Sequence, residues 1–369
     1  MLFLWDNVGG RYRVAKSTRT LTDEIMQDYE KRKEERKTQE RQWQLNLDFY
    51  KGKQNEFLTE FGDIAKLEKQ YFWQGREVFN HIGPLVESRL AVLAEVRPEI
   101  TDNVVRAVVD KIALDRLVEQ GNFWQEVCGT VFYKVVGDAG GPKIAVCSPF
   151  EIYPDKLDVS DMNEVDSVIH AKIVDGKLVL EKWGRERLSI IIDGKLEYDG
   201  IPPFPFPFVR GTSEVMAGEF YGKSVVERAI PVQRAYNAVK NRRAEFMNRM
   251  ACGVVAVEDG SVDMDSLEID GLCPGKIIVY KNGAREPKFM DVGEIPSALQ
   301  EEESRLLAEF ATITGGGDFV SDLAARANIG ATALQLINDR NLVRMRRPIQ
   351  SVKDIYAEVE QKIKAILKI

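Results

Sequence analysis

Residues 218–224 read Gly-Glu-Phe-Tyr-Gly-Lys-Ser and open the segment that decides the fold. A long helix is predicted from the end of this heptapeptide to about Met250, because apolar side chains recur at every third or fourth position. Pro231 suits the first turn of such a helix, where its missing N–H has no intrahelical partner to lose. The apolar stripe consists of Val232, Tyr236, Val239, Phe246 and Met250. A helix with one apolar stripe needs a packing partner, because it is not stable in isolation.

Arg243 stands where this stripe would have an apolar residue. Its aliphatic stem can pack while its guanidinium reaches a carboxylate, which could belong to a neighbouring chain. An arginine at the edge of an ordinary core explains the same pattern, so both interpretations stay open. The opposite face of the helix is basic and carries Arg228, Lys240, Arg242 and Arg249.

A small β-unit and a second helix follow. Short apolar runs at Gly253–Val257 and Lys276–Tyr280 predict a pair of strands. An acid-rich helix is expected to return from Pro296 to about Ala311, before the glycines at 315–317. The acidic residues in it are Glu301, Glu302, Glu303 and Glu309. No catalytic set of side chains accompanies these elements, which indicates a structural role.

Residues 130–200 predict an antiparallel meander. Apolar runs flank three loops, at 137–141, Asp175-Gly176 and Asp193-Gly194. Asp-Gly between apolar runs is a strong hairpin signal, because both central turn residues need positive φ. Strands grouped beside helices, without βαβ alternation, predict an α+β fold class rather than a dinucleotide-binding fold.

Helical spacing also appears before the meander, at 21–50, 80–97 and 102–120. Within the first of these helices, residues 30–41 contain no apolar side chain. This run predicts a solvated helix surface with i,i+4 ion pairs, and a nucleic-acid-binding arm is the alternative.

Proline marks two features in the second half of the chain. Pro202–Phe208 contains four prolines and predicts a stiff connector between domains, with a PxxP ligand as the alternative. A last helix is expected from Ala331 to Lys368, because apolar residues recur there at every third or fourth position: Met345, Ile349, Val352, Ile355, Val359, Ile363 and Ile366. Pro348 inside this helix predicts a kink.

The composition excludes several classes of function. The chain has 369 residues and a net charge of −7, which allows two or three domains and argues against a broad basic DNA clamp. A like-charged surface still lets DNA slide past. Four cysteines without a CxxC pair and only two histidines predict no zinc site, and reduced thiols in the cytoplasm. No apolar run approaches the length of a membrane span, and Met1–Trp5 is too short for a signal peptide.

Three sets of residues suggest chemistry only weakly. Gly222-Lys223-Ser224 resembles the end of a P-loop, but one residue is missing between its glycines and no apolar strand leads into it. His81 and His170 support no nucleophilic triad. Four aspartates at loose metal-ligand spacing are interpreted as a polar loop, since an EF-hand needs a glycine and a terminal glutamate in register: Asp259, Asp263, Asp265 and Asp270.

The order of these parts resembles the portal proteins of tailed bacteriophages and related prophages. The similarity runs from about Trp43 to Lys368, and it rests on the order and spacing of short stretches rather than on one diagnostic motif. The stretches are Trp43–Gly52, Asn80–Pro98, Gly129–Lys134, Cys147–Pro154, Phe220–Ser224, Ile230–Gln233, Pro274–Ile278 and Asn328–Leu336.

The resemblance implies a subunit of a dodecameric ring at one capsid vertex, without enzymatic activity, cofactor, metal or membrane contact. Its implied partners are further copies of the chain, double-stranded DNA, terminase large subunit, a head-completion or adaptor protein, and capsid and scaffold proteins. The implied location is the virion, after assembly in the host cytoplasm. The implied parts are a charged helical arm (1–42), a wing (43–217), a stem helix (218–250), a clip (251–290), a returning stem helix (291–314), a tunnel loop (315–329) and a kinked C-terminal helix (330–369).

Three sets of residues receive roles from this resemblance. Candidates for the DNA channel are Glu301, Glu302, Glu303, Gly315, Gly316, Gly317, Arg326 and Asn328. Candidates for the interface between subunits are Val232, Tyr236, Val239, Arg243 and Phe246. Candidates for docking on the clip are Glu258, Asp259, Lys276 and Lys281.

The chain departs from the portal pattern in two places. The segment between Pro98 and Gly129 is short, which predicts a reduced wing. The sequence ends at Ile369, where many portal proteins continue with more wing and a crown, so the presence of a crown is left open. Two alternatives remain: a P-loop-like ATPase that uses Gly222-Lys223-Ser224, and another connector or adaptor ring protein of the virion. The sequence fixes neither the size of a ring nor the residues that face its channel.

Overall fold

The computed structural model describes residues 18–58, 64–66, 76–138, 140–252, 254–262, 277–290, 295–315 and 331–368. Among these residues, helices and antiparallel sheets are both extensive, which confirms the α+β fold class. No described helix is both long and apolar enough to cross a membrane.

The N-terminal helical region is two helices rather than the single one predicted over 21–50. Helix α1 spans Thr18–Glu35, α2 spans Lys37–Tyr50, and Arg36 lies between them. The charged run at 30–41 forms the expected i,i+4 pairs, among them Arg32 with Asp28 and Arg36 with Glu40. The prediction of a wholly solvated surface is wrong, because Arg32 and Arg36 are 7% and 2% exposed.

Arg32 and Arg36 are buried because both guanidiniums satisfy carbonyl oxygens far away in the sequence. Arg32 donates to the carbonyl of Tyr153 at 3.1 Å. Arg36 donates to the carbonyls of Pro149 at 2.9 Å and Phe150 at 2.8 Å. A guanidinium has five N–H donors, so it can remain charged in the interior when acceptors surround it.

Three helices follow a short hairpin of β1 (Glu56–Leu58) and β2 (Ile64–Lys66). Helix α3 spans Ile82–Ala94. The single helix predicted over 102–120 is α4 (Asn103–Ile112) and α5 (Leu114–Cys128). They are separate because Ala113 adopts a left-handed conformation with φ of 55°. Asp102 caps α4 by accepting from the amides of Val104 and Val105.

The hairpins predicted from the turn residues are confirmed. Strands β6 (Ser167–Val174) and β7 (Lys177–Gly184) join at Asp175-Gly176, and β8 (Leu188–Ile192) and β9 (Lys195–Gly200) join at Asp193-Gly194. All four turn residues have positive φ, between 50° and 77°. With β5 (Ile152–Pro154) these strands form an antiparallel five-stranded sheet in sequence order.

A single meander over 130–200 is wrong, because the first hairpin belongs to another sheet. Strands β3 (Thr130–Asp138) and β4 (Gly141–Cys147) pair with β10 (Phe208–Thr212) in the order β10-β3-β4. The connector predicted at Pro202–Phe208 therefore leads directly into a strand. Phe206 and Phe208 are buried, so this segment contributes to the core as well as linking two parts of the chain.

The two sheets are the inner layers of the body. Alternate residues of β3 face opposite ways, as a strand requires. Phe132 packs towards the five-stranded sheet and Trp183, whereas Tyr133 packs towards the long last helix. The outer face of the five-stranded sheet is covered by α1 through Ile25 and Tyr29. The layer order is therefore α1, five-stranded sheet, three-stranded sheet and C-terminal helix.

The second half of the chain consists mainly of helices. Helix α6 spans Val225–Cys252 and α7 spans Ser297–Thr314. The prediction that Pro231 lies in the first turn of α6 is wrong, because the helix begins six residues earlier and Pro231 lies inside it. Helix α8 spans Ala331–Leu367 as one element with Pro348 inside it, and the kink at that proline stays a prediction. The predicted apolar stripe of α8 packs on the three-stranded sheet; its buried members are Met345, Val352, Ile355, Val359 and Ile363.

The small β-unit between α6 and α7 differs from its prediction. Strand β11 (Val254–Ala256) pairs with β12 (Lys288–Met290), not with the run at Lys276–Tyr280. Tyr280 instead makes an isolated antiparallel bridge with Val262. The apolar run at Lys276–Tyr280 is therefore not the partner strand of β11. The partner is β12, in which Lys288 precedes two apolar residues. Residues 263–276 lie outside the described part of the chain.

Candidate functional site

The candidate site is the helix pair, α6 and α7, together with the distal unit, residues 254–262 and 277–290. Exposure rises along α6 from its beginning to its end. Ile230 and Tyr236 are 4% and 6% exposed, whereas Met247 and Met250 are 49% and 42% exposed. The pair thus begins inside the body and carries the distal unit away from the core.

Amide side chains fix the first half of α6 to the backbone of residues 77–81, which precede α3. Gln233 accepts from the amide of His81 at 3.0 Å and donates to the carbonyl of Phe79 at 2.7 Å. One turn further on, Asn237 accepts from the amide of Phe79 at 3.1 Å. Asn241 both accepts from the amide and donates to the carbonyl of Glu77. This amide ladder was not predicted, although its i, i+4, i+8 spacing is visible in the sequence.

The residues before α6 do not form a phosphate cradle. The Gly222 amide donates to the hydroxyl of Thr130 at 2.8 Å. The Ser224 hydroxyl donates to the carbonyl of Glu126 at 2.7 Å and accepts from the amide of Val226, as a helix cap does. Ser224 is 1% exposed. Groups that a P-loop would turn towards a nucleotide are therefore occupied within the chain.

Glu303 joins the two helices of the pair. Its carboxylate oxygens lie 2.8 Å from Nζ of Lys240 and 3.0 Å from Nη1 of Arg243. Burial alone would raise the pKa of Glu303, but the hydrogen bonds and charges of Lys240 and Arg243 outweigh it and hold that pKa below its usual value. The guanidinium of Arg243 therefore has a carboxylate partner in its own chain, which was not the neighbouring-chain partner considered from the sequence.

The other acidic residues of α7 point elsewhere. Glu301 is exposed, and Glu302 pairs with Arg305 at 2.8 Å. Arg305 also approaches Glu309 at 3.9 Å. The triple glutamate is thus divided between solvent, an ion pair along α7 and a contact with α6. The channel-facing role stays a prediction, for which Glu301 has the exposure required.

The predicted interface residues lie along one side of α6. Val232 and Tyr236 are buried in the body of the chain, beside His81, whose ring centroid lies 4.7 Å from that of Tyr236. Val239 and Phe246 are half-buried. Residues available to another copy are therefore those of the second half of α6, and the exposed methionines Met247 and Met250 join them.

The distal unit exposes apolar side chains. Ile277, Val279 and Met290 are 84%, 78% and 57% exposed. Glu258 accepts from the amide of Arg285 at 2.8 Å, and this hydrogen bond joins the two described halves of the unit. The docking candidates Asp259 and Lys281 are exposed, whereas Lys276 lies outside the described residues.

The end of α7 is a left-handed glycine. Gly315 has φ of 77°, and its amide donates to the carbonyl of Ala311 at 3.1 Å. A Cβ at this position would lie 2.9 Å from Cδ of Arg344 in α8. The remaining channel candidates lie outside the described residues: Gly316, Gly317, Arg326 and Asn328.

One cluster of polar side chains in the body was missed by sequence reasoning. Lys134, His170 and Glu181 lie between the two sheets, with Cys147 and Glu151 on the other side of the imidazole. Burial alone would lower the pKa of His170, but Cys147 and the two carboxylates outweigh it and raise that pKa to about 10. The Lys134 ammonium and the His170 ring likewise hold the pKa of Glu181 well below its usual range, against its burial.

Comparison with known proteins adds no family. No protein-family model matches the chain, and no curated protein sequence is detectably similar to it.

Proposed function

We propose that this chain is the subunit of a portal ring of a tailed bacteriophage or related prophage. Such a ring forms the channel at one capsid vertex through which DNA is packaged, retained and ejected. In this proposal the layered body is the wing, the helix pair is the stem, and the distal unit is the clip.

One observation carries the proposal. The helix pair begins within the α/β body, and its far end holds a two-stranded unit with exposed apolar side chains. Ile277, Val279 and Met290 are exposed in the single chain, and exposed apolar side chains on one small unit are candidates for an interaction surface. Copies of the chain arranged around an axis would cover these residues and the exposed methionines of α6.

Rotational symmetry would give each helix pair one side that contacts a neighbouring subunit and one side that faces the channel. A head-to-tail interface closes into a ring when the rotation between neighbours divides a full turn. In such a ring, one flank of each pair covers the next and one face borders the hole. Glu303 pairs with both Lys240 and Arg243 inside the subunit and offsets one of their two charges, which leaves these cations less able to bind DNA phosphates.

The charge of the chain supports passage rather than capture of DNA. The net charge is −7, and Glu301 is exposed on α7. An acidic lumen repels phosphates and keeps the friction on a moving duplex low. Residues 315–329 would supply the contact with DNA, and Arg326 is their basic residue.

The clip is the proposed docking surface for proteins outside the capsid. Terminase large subunit would bind it during packaging, and a head-completion or adaptor protein would replace terminase afterwards. Capsid and scaffold proteins would contact the wing. On the clip, Asp259 and Lys281 are exposed and offer charges of both signs to terminase or the adaptor protein.

The proposal is tested by the oligomeric state of the purified full-length chain. Mass photometry should find a closed ring of many subunits. Met247→Asp combined with Met250→Asp should reduce rings to small species, because charges would be buried between neighbouring pairs. Ile173→Asp is the matched control: Ile173 is 73% exposed on β6, away from the pair, and its replacement should leave rings intact. Monomers alone at high concentration of the unmodified chain would contradict the proposal.

A further inference from the structure

Three side chains with metal-binding atoms meet between the two sheets. Cys147 ends β4, Glu151 ends a 3-10 turn at Pro149–Glu151, and His170 lies in β6. One atom of each lies within 4.8 Å of the other two. Nε2 of His170 is 3.9 Å from the Cys147 sulfur and 3.7 Å from a Glu151 oxygen.

These distances are close to those between ligands of one metal ion. Bonds of about 2.0–2.3 Å in a tetrahedral site place neighbouring ligand atoms roughly 3.3–3.8 Å apart. Small rotations of the Glu151 and Cys147 side chains would therefore complete the arrangement. A nitrogen, a thiol sulfur and one carboxylate oxygen suit zinc and similar transition metals, whereas calcium and magnesium prefer oxygen alone.

The imidazole of His170 is oriented for ligation. Its Nδ1 faces Lys134 at 3.4 Å and Glu181 at 3.8 Å, so Nε2 is the nitrogen directed at Cys147 and Glu151. Metal-binding histidines commonly direct their second nitrogen to a carboxylate in this way. Glu181 also pairs with the Lys134 ammonium, which offsets the repulsion that this cation would exert on an ion nearby.

The turn that carries Glu151 is held in place. The Arg36 guanidinium donates to the carbonyls of Pro149, Phe150 and Ile152, which surround Glu151 in the sequence. Cys147 is 2% exposed and the side chain of Glu151 is 30% exposed. The ligands thus sit on rigid elements, and the Glu151 side leaves a route to solvent for an ion and for a water as fourth ligand.

We propose that Cys147, Glu151 and His170 bind a divalent transition metal of the zinc class and that the ion ties β4 to β6 across the two sheets. Binding replaces the thiol proton of Cys147, and any proton on Nε2 of His170, and these protons pass to solvent. The proposal does not rest on the portal function, because it concerns the body alone.

Cobalt(II) provides the direct test, because thiolate-bound cobalt gives a charge-transfer absorption band and tetrahedral cobalt gives strong visible bands. The full-length chain should be titrated with CoCl₂ under reducing conditions, and bound cobalt should then be displaced with ZnCl₂. A background variant, Cys128→Ala with Cys252→Ser and Cys273→Ser, leaves Cys147 as the one thiol. We expect the thiolate band in this background, at about one cobalt per chain, and its loss on adding zinc.

Ligand variants separate this site from adventitious binding. Glu151→Gln is the first, because a half-exposed carboxylate can be replaced without unfolding the chain, and metal-free melting checks its fold. It should weaken cobalt binding at least about 10-fold. Cys147→Ala, added to the background variant in which the other three cysteines are already replaced, should abolish the thiolate band. Glu164→Gln, on an exposed neighbouring 3-10 turn, is the control and should leave binding unchanged. Absence of the band in the background variant, or its persistence at full affinity in Glu151→Gln, would overturn the proposal.

Discussion

At the scale of single residues, Glu303 holds the helix pair together through two cations on α6. Glu303→Gln should lower the free energy of unfolding by roughly 1–3 kcal/mol, because a charge-assisted contact is lost and Lys240 and Arg243 are left facing each other. Urea unfolding measures this. Glu301→Gln is the control, and as an exposed position it should change stability by less than about 0.5 kcal/mol.

The same residue predicts a pH dependence. The folded-state pKa of Glu303 lies below its ordinary value of 4.5, so its stabilisation is complete above that value and is lost as the pH falls through the folded-state pKa. Unfolding measured over this acidic range should therefore show a steeper loss of stability for the unmodified chain than for Glu303→Gln. Parallel curves for the two proteins would show that the contact with α6 does not stabilise the fold.

Arg36 is the second residue whose role is local and testable. Arg36→Ala should destabilise the chain by roughly 3–5 kcal/mol, because it leaves Glu40 and three buried carbonyls without their cation. Arg36→Lys should restore little, since one ammonium cannot reproduce the planar fork. Lys37→Ala, at an exposed neighbouring position, is the matched control in thermal unfolding. Equal melting of the Arg36 and Lys37 variants would contradict this role.

At the scale of elements, the amide ladder predicts how α6 is attached to the body. Asn237→Ala should cost roughly 1–3 kcal/mol of stability, because the amide of Phe79 loses its acceptor in a buried place. Asn248→Ala on the exposed part of the same helix controls for helix propensity and should be close to neutral. Hydrogen exchange provides the second readout: the Phe79 amide should exchange faster in the Asn237 variant alone.

The elements that local chemistry specifies were predictable from the sequence. Asp175-Gly176 and Asp193-Gly194 predict hairpins, because a two-residue hairpin turn needs positive φ and few residues other than aspartate, asparagine and glycine tolerate it. The helices α3, α6 and α8 follow from apolar spacing. The break at Ala113 was not predictable, since alanine is a strong helix former and adopts a left-handed conformation only through its surroundings.

Features that depend on contacts between residues far apart in the chain could not be predicted from the sequence. Residues 208–212 pair with β3, and β11 pairs with β12 rather than with the more apolar run at Lys276–Tyr280. Strand pairing depends on tertiary packing, which the local sequence does not show. Arg32 and Arg36 lie in a run of charges that predicts a solvated surface, and carbonyls more than a hundred residues away bury them. Of the site, the charge and stripe of α6 were predictable, whereas the pairing of Glu303 with α6 was not.

At the scale of the whole molecule, the proposed ring explains why a chain whose described residues form three buried apolar clusters also exposes apolar side chains on the distal unit. The distal unit and the second half of α6 would be covered by neighbouring copies, while the body would close the outside of the ring. The proposed ring would account for the helix pair, the net charge of −7 and the distal unit together, and the metal proposed between the sheets would stiffen the body around them.

Electron microscopy of the purified full-length chain tests this account most directly. Rotationally averaged images should show rings with an open central channel, and a three-dimensional map should place α6 and α7 of every subunit around that channel with the distal units at one end. Particles that are monomers at high concentration, or rings in which the helix pair lies at the outer rim, would contradict the account.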